Sequence, residues 1–254
     1  VIPARFAASR FPGKPLAEIA GVPLVRRVWE GAQQARRLAR VIVATEDERI
    51  AAACRGFGAE VAITSPAHPT GTDRIAEVAA GLGEEIVVNI QGDEPLIEGP
   101  VIDAAIDALI ADPSVPMSTV VHPADPGAQD DPNRVKVVMD LHGRALYFSR
   151  SPIPYVREGA SMRIWQHVGL YAYRREFLLA FVKLAPTGLE RAESLEQLRA
   201  LENGHAIRVA KIALGWPLWV ASIAVMGWML EAGHTPLEPD PDAGRAPAED
   251  ERAT

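Results

Sequence analysis

Three cations lie near the start of the chain, in a stretch where the backbone is stiff. Arg5, Arg10 and Lys14 follow a short apolar run, and no acidic residue occurs before Glu18. Pro12 and Pro15 restrict the backbone on either side of Lys14, and Gly13 permits a tight turn. A stiff loop that concentrates positive charge can bind a polyanion such as a triphosphate at little entropic cost. An ordinary solvated loop has the same composition, so the residue types alone leave both interpretations open.

An acidic pair follows the clearest buried-strand signal in the sequence. The apolar run at residues 85–90 ends at Gln91-Gly92-Asp93-Glu94-Pro95. A carboxylate at the end of a buried strand can hold Mg²⁺ against phosphate oxygens, and we favour this role for Asp93 over a simple capped turn. Because Mg²⁺ takes one or two protein carboxylates together with waters and phosphates, one aspartate begins such a site without necessarily completing it.

The other polar candidates are less specific. His167 precedes Tyr171 by four residues in a predicted strand, so the two side chains share a face. A single histidine of this kind is more often structural than functional. Glu193, Glu196 and Gln197 lie in one predicted helical stretch, where a solvated face explains them equally well.

Two common phosphate-binding motifs are missing from the sequence. No Gly-x-Gly-x-x-Gly occurs, which argues against an ordinary dinucleotide-binding fold. Gly13-Lys14 is not a Walker loop, because Ala8 stands where the first glycine is needed and Pro15 where Ser or Thr is needed.

Composition narrows the function classes further. The chain has 254 residues and a net charge of −7, so bulk attraction to nucleic acid or anionic lipid is not expected. Cys54 is the single cysteine, which excludes an intramolecular disulfide. No secretory signal is visible, and we expect a reducing, cytoplasmic location. The sequence opens at Val1 inside an apolar run, so we expect a few residues of the first strand to be missing.

The first half of the chain alternates strands with helices. After the opening strand we predict strands at 40–44, 60–63 and 85–90 and helices at 22–36, 48–56, 72–80 and 100–111, with Thr72 as an N-cap. This alternation predicts a parallel sheet covered on both faces, in which ligands bind at the carboxyl ends of the strands. The cation loop, Thr45, the turn Thr70-Gly71-Thr72-Asp73-Arg74 and Asp93 should therefore meet at one edge.

The second half of the chain changes character. Strands are predicted at 117–122, 134–139, 144–149, 168–173 and 206–212, and helices at 175–184 and 189–202. The turn at 140–143 suggests a hairpin. We therefore predict an α/β fold with a mostly parallel sheet and an antiparallel excursion at about residues 115 to 175. Residues 1–211 are predicted to form a single domain.

The end of the chain is unlike the rest. Residues 212–230 contain no charged side chain and are long enough to span a membrane, but two glycines and a proline interrupt them. We favour buried or irregular apolar structure, with membrane attachment as the alternative. Residues 236–254 are rich in Pro, Ala, Asp and Glu, which is typical of a disordered tail.

Seven motifs in order resemble one enzyme family over about residues 1 to 211. The motifs are IPARFAASRFPGKPL, TGTDR, NIQGDEP, VKVV, ALYFSRSPIP, HVGLYAY and LEQLR. The ordered set is similar to the 3-deoxy-manno-octulosonate (KDO) cytidylyltransferases. This resemblance implies the nucleotide-diphospho-sugar transferase type of sheet, a homodimer, and a place in lipopolysaccharide precursor synthesis. It also implies a Mg²⁺-dependent reaction in which CTP and KDO give CMP-KDO and pyrophosphate.

The resemblance also implies roles for particular residues. Arg10 and Lys14 match the phosphate-gripping loop, and Asp93 matches the magnesium aspartate. Nucleotide-binding positions are Arg5, Ala7, Ser9, Thr72, Asp73, Arg74 and Gly92. Positions on the sugar-acid side are Gln91, Arg150, His167, Tyr171, Glu196 and Gln197. Arg150 would suit the KDO carboxylate.

One segment of the family is missing from this sequence. The family continues after the last strand with Gly-Val-Asp-Thr-Pro-Glu-Asp-Leu, whose first aspartate is the second magnesium ligand. The nearest match is Gly233-His234-Thr235-Pro236, with His234 at the acidic position, and Asp240 and Asp242 lie further on. Two alternatives to KDO transfer stay open. One is cytidylyl transfer to a related sugar acid, such as 8-amino-KDO or a neuraminate, and the other is CTP binding without catalysis.

Overall fold

The structure is a computed structural model that describes residues 1–6, 12–125 and 127–212. Its strands, in chain order, are β1 (Ile2–Pro3), β2 (Glu18–Ile19), β3 (Val22–Pro23), β4 (Ile42–Thr45), β5 (Glu60–Ile63), β6 (Ile86–Asn89), β7 (Met117–Pro123), β8 (Lys136–Met139), β9 (Ala145–Ser149), β10 (Trp165–Arg174) and β11 (Ile207–Lys211). Its helices are α1 (Leu24–Ala32), α2 (Glu48–Gly56), α3 (Gly71–Ala80), α4 (Gly99–Ala111), α5 (Arg175–Phe181), α6 (Gly188–Glu193) and α7 (Gln197–Glu202).

The strands of the first half form a parallel sheet, as predicted. β1 pairs with β4 and β4 with β5, all parallel. Backbone hydrogen bonds between Val1 and both Val88 and Ile90 join β1 to the β6 segment, so the sheet continues toward the second half. The carboxyl ends of these strands lie on one edge, where the sequence predicts a ligand site.

The predicted antiparallel excursion is also confirmed. β10 pairs antiparallel with β7 along one side. Along the other side its first residues pair with β8 and its last residues with β6. β8 and β9 form the predicted hairpin, and β11 returns parallel to β7. β10 therefore connects the two halves of the chain through main-chain hydrogen bonds.

Helices cover both faces of the sheet because their apolar positions recur on one side. On α1, Val25, Val28 and Ala32 are buried in a cluster that also contains apolar residues of α2 and α4. A second cluster on the other face contains apolar residues of α3, α5 and α7. Burying apolar surface on both faces is what a largely parallel sheet requires.

Three local predictions are wrong. The helix predicted at 22–36 spans only Leu24–Ala32, and Val22 and Pro23 instead pair with β2 as strand β3. The N-cap of α3 is Thr70 rather than Thr72, because Thr70 and Asp73 satisfy each other's backbone N–H groups in a capping box. The single helix predicted at 189–202 is two helices, separated at Ser194, which has a left-handed φ of 51°. This break removes Glu193 from the helix that begins at Gln197.

The predictions for the end of the chain fall largely outside the structure. Residues 213–254 are not among those described, so Ile212 is the only described residue of the uncharged run. Among residues 1–6, 12–125 and 127–212, no helix is both long and apolar enough to cross a membrane.

Candidate active site

An ion pair joins the two main predicted groups. Nζ of Lys14 lies 2.8 Å from Oδ2 of Asp93. Lys14 begins a short 3₁₀ turn, which Gly13 precedes in the left-handed conformation with φ 75°. Asp93 lies in the turn after β6. The fold therefore brings together a cation and an acid that are 79 residues apart.

A pocket of about 210 Å³ opens beside this ion pair. Its lining comes from the ends of β1 and β6, the 3₁₀ turn and the start of α3, and consists of Pro3, Ala4, Arg5, Lys14, Pro15, Gly71, Gln91, Gly92 and Asp93. Gly92 is required here by close packing, because a Cβ atom at this position would lie 2.5 Å from the carbonyl oxygen of Pro3. The backbone contact between Gly92 and Pro3 fixes the turn that carries Asp93.

Arg5 contributes positive charge to the same pocket. Its Nη1 donates to the carbonyl oxygen of Pro69 at 3.1 Å, which connects the first strand to the turn before α3. Its Nη2 is buried and has no hydrogen-bond partner in the described part of the chain. Three predicted site residues, Ala7, Ser9 and Arg10, lie outside the described residues.

The first turn of α3 carries three predicted nucleotide-binding residues in three different environments. Asp73 is engaged in the capping box with Thr70. The hydroxyl of Thr72 donates to Oε2 of Glu196 at 2.6 Å. The guanidinium of Arg74 is buried and lies 2.6 Å from Oε2 of Glu46. Burial lowers the pKa of Arg74, and Glu46 opposes that shift.

Glu196 and Gln197 bring two further polar groups to α3. The Glu196 carboxylate lies between Thr72 and Arg199, whose Nη2 is 3.5 Å from Oε1 of Glu196. Burial raises the pKa of Glu196, although Thr72 and Arg199 favour the charged form. Gln197 is buried, and its Nε2 has no hydrogen-bond partner among the described residues. A buried donor of this kind is available to a ligand.

His167 and Tyr171 share one face of β10, as predicted, and their rings lie side by side. Their ring centroids are 5.2 Å apart, and both side chains are buried. Burial, with a smaller contribution from His122, lowers the pKa of His167 to about 3, so the ring is neutral at physiological pH. Burial raises the pKa of Tyr171 well above its ordinary value. The pair is an uncharged polar surface suited to hydroxyl groups.

Gln91 lies between the ion pair and this aromatic surface. Tyr171 pairs across the sheet with Asn89, and Nε2 of Gln91 is 3.5 Å from Oδ1 of Asn89. A Cβ atom at Gly169 would lie 3.5 Å from Cγ of Gln91. The phosphate side and the proposed sugar-acid side are therefore adjacent.

Arg150 is held by its own chain. Its Nε donates to the carbonyl oxygen of Glu193 at 2.7 Å, and its backbone N–H donates to the Glu193 carboxylate at 2.9 Å. The same carboxylate accepts a 2.6 Å hydrogen bond from the Ser149 hydroxyl. The buried Lys136 donates to the carbonyl oxygen of Arg150 at 2.5 Å. No hydrogen bond among the described residues connects Arg150 with Lys14, Asp93 or His167.

Sequence reasoning missed two residues that support the site. Glu193, interpreted as a solvated residue, orients Arg150. Thr119 contacts His167 and is fully buried on β7. Thr119 could have been noticed in the sequence, because it is a hydroxyl residue inside an apolar strand. The role of Glu193 could not, because it depends on a contact with Arg150, which lies 43 residues away in the chain.

Comparison with known proteins identifies the family. A family model described as "Cytidylyltransferase" matches residues 1–209. A 3-deoxy-manno-octulosonate cytidylyltransferase from Geobacter sulfurreducens is 55% identical, over 84% of this chain and 90% of that protein. A protein of the same name from Myxococcus xanthus is 54% identical, over 84% of this chain and 87% of that protein.

Solved structures agree with this assignment. A CMP:2-keto-3-deoxy-manno-octonic acid synthetase complexed with CTP superposes with a TM-score of 0.82 at 40% identity, covering 91% of this chain and 97% of that one. A cytidylyltransferase from Leptospira borgpetersenii, 16% identical, shares the fold with a TM-score of 0.53 and coverage of 84% and 74%. The chain therefore belongs to the cytidylyltransferase family and, within it, to the 3-deoxy-manno-octulosonate cytidylyltransferases.

Proposed function

We propose that this protein transfers CMP from CTP to the anomeric 2-hydroxyl of KDO. The hydroxyl oxygen forms a bond to the α-phosphorus of CTP as the bond to the bridging oxygen breaks, and pyrophosphate leaves from the opposite side. The hydroxyl proton is released. Such a transfer requires alignment of the two substrates and neutralisation of charge rather than a covalent enzyme intermediate.

The observation that carries this proposal is the Lys14–Asp93 ion pair at the pocket. Asp93 remains about half exposed, with 48% side-chain accessibility, so this pair is open to exchange with a ligand. A bound triphosphate would compete with Asp93 for the ammonium of Lys14. Lys14, with Arg10 from the same loop, then stabilises charge on the α-phosphate and on departing pyrophosphate. The unpartnered Nη2 of Arg5 adds a donor on this side.

The donor set at this site fits Mg²⁺, although it is minimal. No group of three or more His, Cys, Asp or Glu residues in the described ranges is arranged to hold a metal ion. Mg²⁺ needs only one or two protein carboxylates when phosphate oxygens supply other ligands, and Asp93 offers one. When bound, Mg²⁺ neutralises phosphate charge. Asp93 would hold it, and the family's second aspartate has its nearest sequence match at His234, outside the described residues.

The remaining nucleotide contacts are part of the same proposal. Ala7 and Ser9, which lie outside the described residues, are proposed as nucleotide-binding positions because they match the family's loop, and Gly92 lets the backbone approach the pocket closely. Thr72 and Asp73 form the turn beside it. Arg74 is buried and forms an ion pair with Glu46, and through this contact it is proposed to stabilise the turn. Backbone groups are proposed to select cytosine.

The sugar acid is proposed to bind on the opposite side of Gln91. Neutral His167 and Tyr171 offer a polar aromatic surface for its hydroxyl groups, and the unpartnered amide of Gln197 offers a donor. Glu196 accepts from hydroxyls, as it does from Thr72. Arg150 supplies the positive charge for the carboxylate.

A pyrophosphate-release assay with CTP, KDO and Mg²⁺ tests the proposal. We expect release that depends on KDO and that Lys14→Met lowers about 10²-fold or more, while Lys183→Met, a change at an exposed lysine elsewhere, leaves it unaffected. Folded protein without KDO-dependent release would contradict the proposed activity. Calorimetry that shows CTP binding without turnover would support the non-catalytic alternative, and a panel of 8-amino-KDO and neuraminate would detect a different sugar acid.

The cellular context follows from this activity. We propose a homodimer in the cytoplasm that supplies activated KDO for lipopolysaccharide synthesis, with residues 1–211 as one catalytic domain. The continuous connection from β1 through β6 to β10 supports a single domain. The buried, unpaired Cys54 is compatible with a reducing compartment.

A further inference from the structure

A two-residue bulge in β10 brings His167 and Tyr171 together. His167 pairs with Val121 and Tyr171 pairs with Thr119, so four steps along β10 match two steps along β7. The register shifts between Val168 and Tyr171. In a regular strand, residues four apart are separated by roughly 13 Å, and the bulge shortens this separation. It also removes main-chain groups of β10 from the hydrogen-bond ladder.

Thr119 satisfies one of the groups that the bulge displaces. Its Oγ1 lies 2.7 Å from the carbonyl oxygen of Leu170 and 3.4 Å from that of Val168. A carbonyl oxygen cannot donate, so the hydroxyl proton of Thr119 is directed to Leu170. Thr119 is fully buried, which makes this proton costly to redirect.

The same oxygen determines the protonation of the His167 ring. Nε2 of His167 lies 2.9 Å from Oγ1 of Thr119. Because the single hydroxyl proton is already used, the hydroxyl can only accept at this contact, and Nε2 must donate. Burial keeps the ring neutral by lowering the pKa of His167 to about 3. A neutral ring protonated on Nε2 carries a lone pair on Nδ1.

We infer that Thr119 is a positioning residue that holds His167 as the Nε2–H tautomer, so that Nδ1 accepts a hydrogen bond from a hydroxyl group of the sugar acid. This inference rests on the proposed function. Nδ1 makes no hydrogen bond to the described residues, and the ring is fixed between Phe148 and Tyr171, with centroids 5.3 Å and 5.2 Å away.

The assignment determines which part of the substrate faces His167. A neutral acceptor attracts hydroxyl protons and repels carboxylate and phosphate oxygens. The substrate carboxylate must therefore lie elsewhere, at a cation such as Arg150. A sugar acid that lacks the hydroxyl facing His167 would cover Nδ1 without offering it a hydrogen bond, and the site would bind it less well.

Long-range ¹H–¹⁵N spectra of ¹⁵N-histidine-labelled protein test the tautomer directly. We expect His167, assigned by its loss in His167→Gln, to show a protonated Nε2 and an unprotonated Nδ1 at neutral pH. Addition of KDO in the presence of CTP should shift Nδ1. In Thr119→Val, which keeps the side-chain shape but removes the hydroxyl, we expect the two tautomers to mix.

Kinetics provide a second, independent test. Thr119→Val should raise KM for KDO about tenfold, the size of one lost hydrogen bond, and change KM for CTP by less than about twofold. Thr119→Ser should restore both values. Ser118→Ala is the matched control, because it removes the adjacent buried hydroxyl that donates to the carbonyl oxygen of Ala105. It should leave the tautomer and KM for KDO unchanged.

The possible failures are distinguishable. A wild-type protein that makes CMP-KDO but shows Nδ1–H, or a folded Thr119→Val variant with unchanged KM for KDO, would overturn this inference alone. A protein that neither turns over KDO nor shifts the His167 Nδ1 signal on KDO addition would overturn the proposed function as well as the hydroxyl assignment.

Discussion

The hydroxyl of Thr72 donates a 2.6 Å hydrogen bond to the carboxylate of Glu196, across 124 residues of the chain. This bond ties the first turn of α3 to the segment between α6 and α7. The nucleotide side and the sugar-acid side of the proposed cleft are therefore coupled by a partly buried polar contact, and changes at either residue should affect both stability and binding.

Glu196 should give the free energy of unfolding a characteristic pH dependence. Burial raises the pKa of Glu196, so the folded chain binds a proton there more tightly than the unfolded chain does. The stabilising contribution of Glu196 is fully present below pH 4.5, which is the ordinary pKa of a glutamate. This contribution is lost as the pH rises through the higher pKa that Glu196 has in the folded chain. Glu196→Gln should flatten this part of the profile in urea unfolding series above pH 4.5. The exposed Glu158→Gln is the control, and an unchanged slope in Glu196→Gln would contradict the prediction.

His167 should make the free energy of unfolding decrease as the pH falls, which is opposite to the effect of Glu196. With a folded pKa of about 3 against an ordinary value of 6.5, the unfolded chain binds a proton that the folded chain rejects. Stability is therefore full above pH 6.5 and falls as pH decreases toward 3, by about 2 kcal/mol between pH 7 and pH 5 for one such group. Comparison of His167→Gln with wild type by urea unfolding at these two pH values isolates the contribution from that of other histidines. An equal loss in both proteins would show that His167 titrates normally.

Lys14 and Asp93 should matter for turnover far more than for folding. An ion pair whose carboxylate is about half exposed contributes roughly 0–1 kcal/mol to stability, so Lys14→Met and Asp93→Asn should unfold almost as wild type does. Each should lower kcat/KM about 10²-fold or more, because Lys14→Met leaves phosphate charge without its cation and Asp93→Asn removes the carboxylate that would hold Mg²⁺. The double variant should be much less impaired than the product of the two effects. Strict multiplication of the two losses would indicate that the residues act independently.

Replacing Gly92 with alanine, the smallest possible side chain, should already destabilise the protein. In Gly92→Ala the new methyl group would lie 2.5 Å from the Pro3 carbonyl oxygen, so the turn that carries Asp93 must move. We expect a loss of roughly 1–3 kcal/mol in stability together with lower activity. Gly83→Ala is the matched control, since no atom lies within 4 Å of its Cβ position. Thermal unfolding and pyrophosphate release measure both effects, and a Gly92→Ala variant equal to Gly83→Ala would contradict the expected clash.

The sequence predicted the sheet because its signals are local. Alternating apolar runs and amphipathic helices specify a parallel first half, and the hairpin turn specifies the antiparallel second half. Convergence at the strand ends then followed from topology, and it correctly brought Lys14 to Asp93. The prediction of Thr72 as the N-cap failed because Thr70 can also cap, and its capping box with Asp73 decides the start of the helix.

Contacts between distant segments could not be predicted in the same way. The break at Ser194 has no glycine or proline to mark it, and it converts Glu193 from a helix-surface residue into the partner of Arg150. The bulge in β10 leaves the period-two pattern intact, because two extra residues preserve the facing of His167 and Tyr171. Pattern analysis therefore found the correct face and missed the shortened distance.

The pairing of β10 with β6 has a consequence for how the cleft is made. One wall of the proposed cleft is built from residues before 112 and the other from residues after it, and the main-chain hydrogen bonds between β6 and β10 join the two walls. Two fragments divided at the turn near Ser114 should each be inactive when expressed alone. Mixing the two fragments should restore pyrophosphate release only when β6 pairs with β10. Activity should therefore appear together with protection of the β6 and β10 amides from hydrogen exchange.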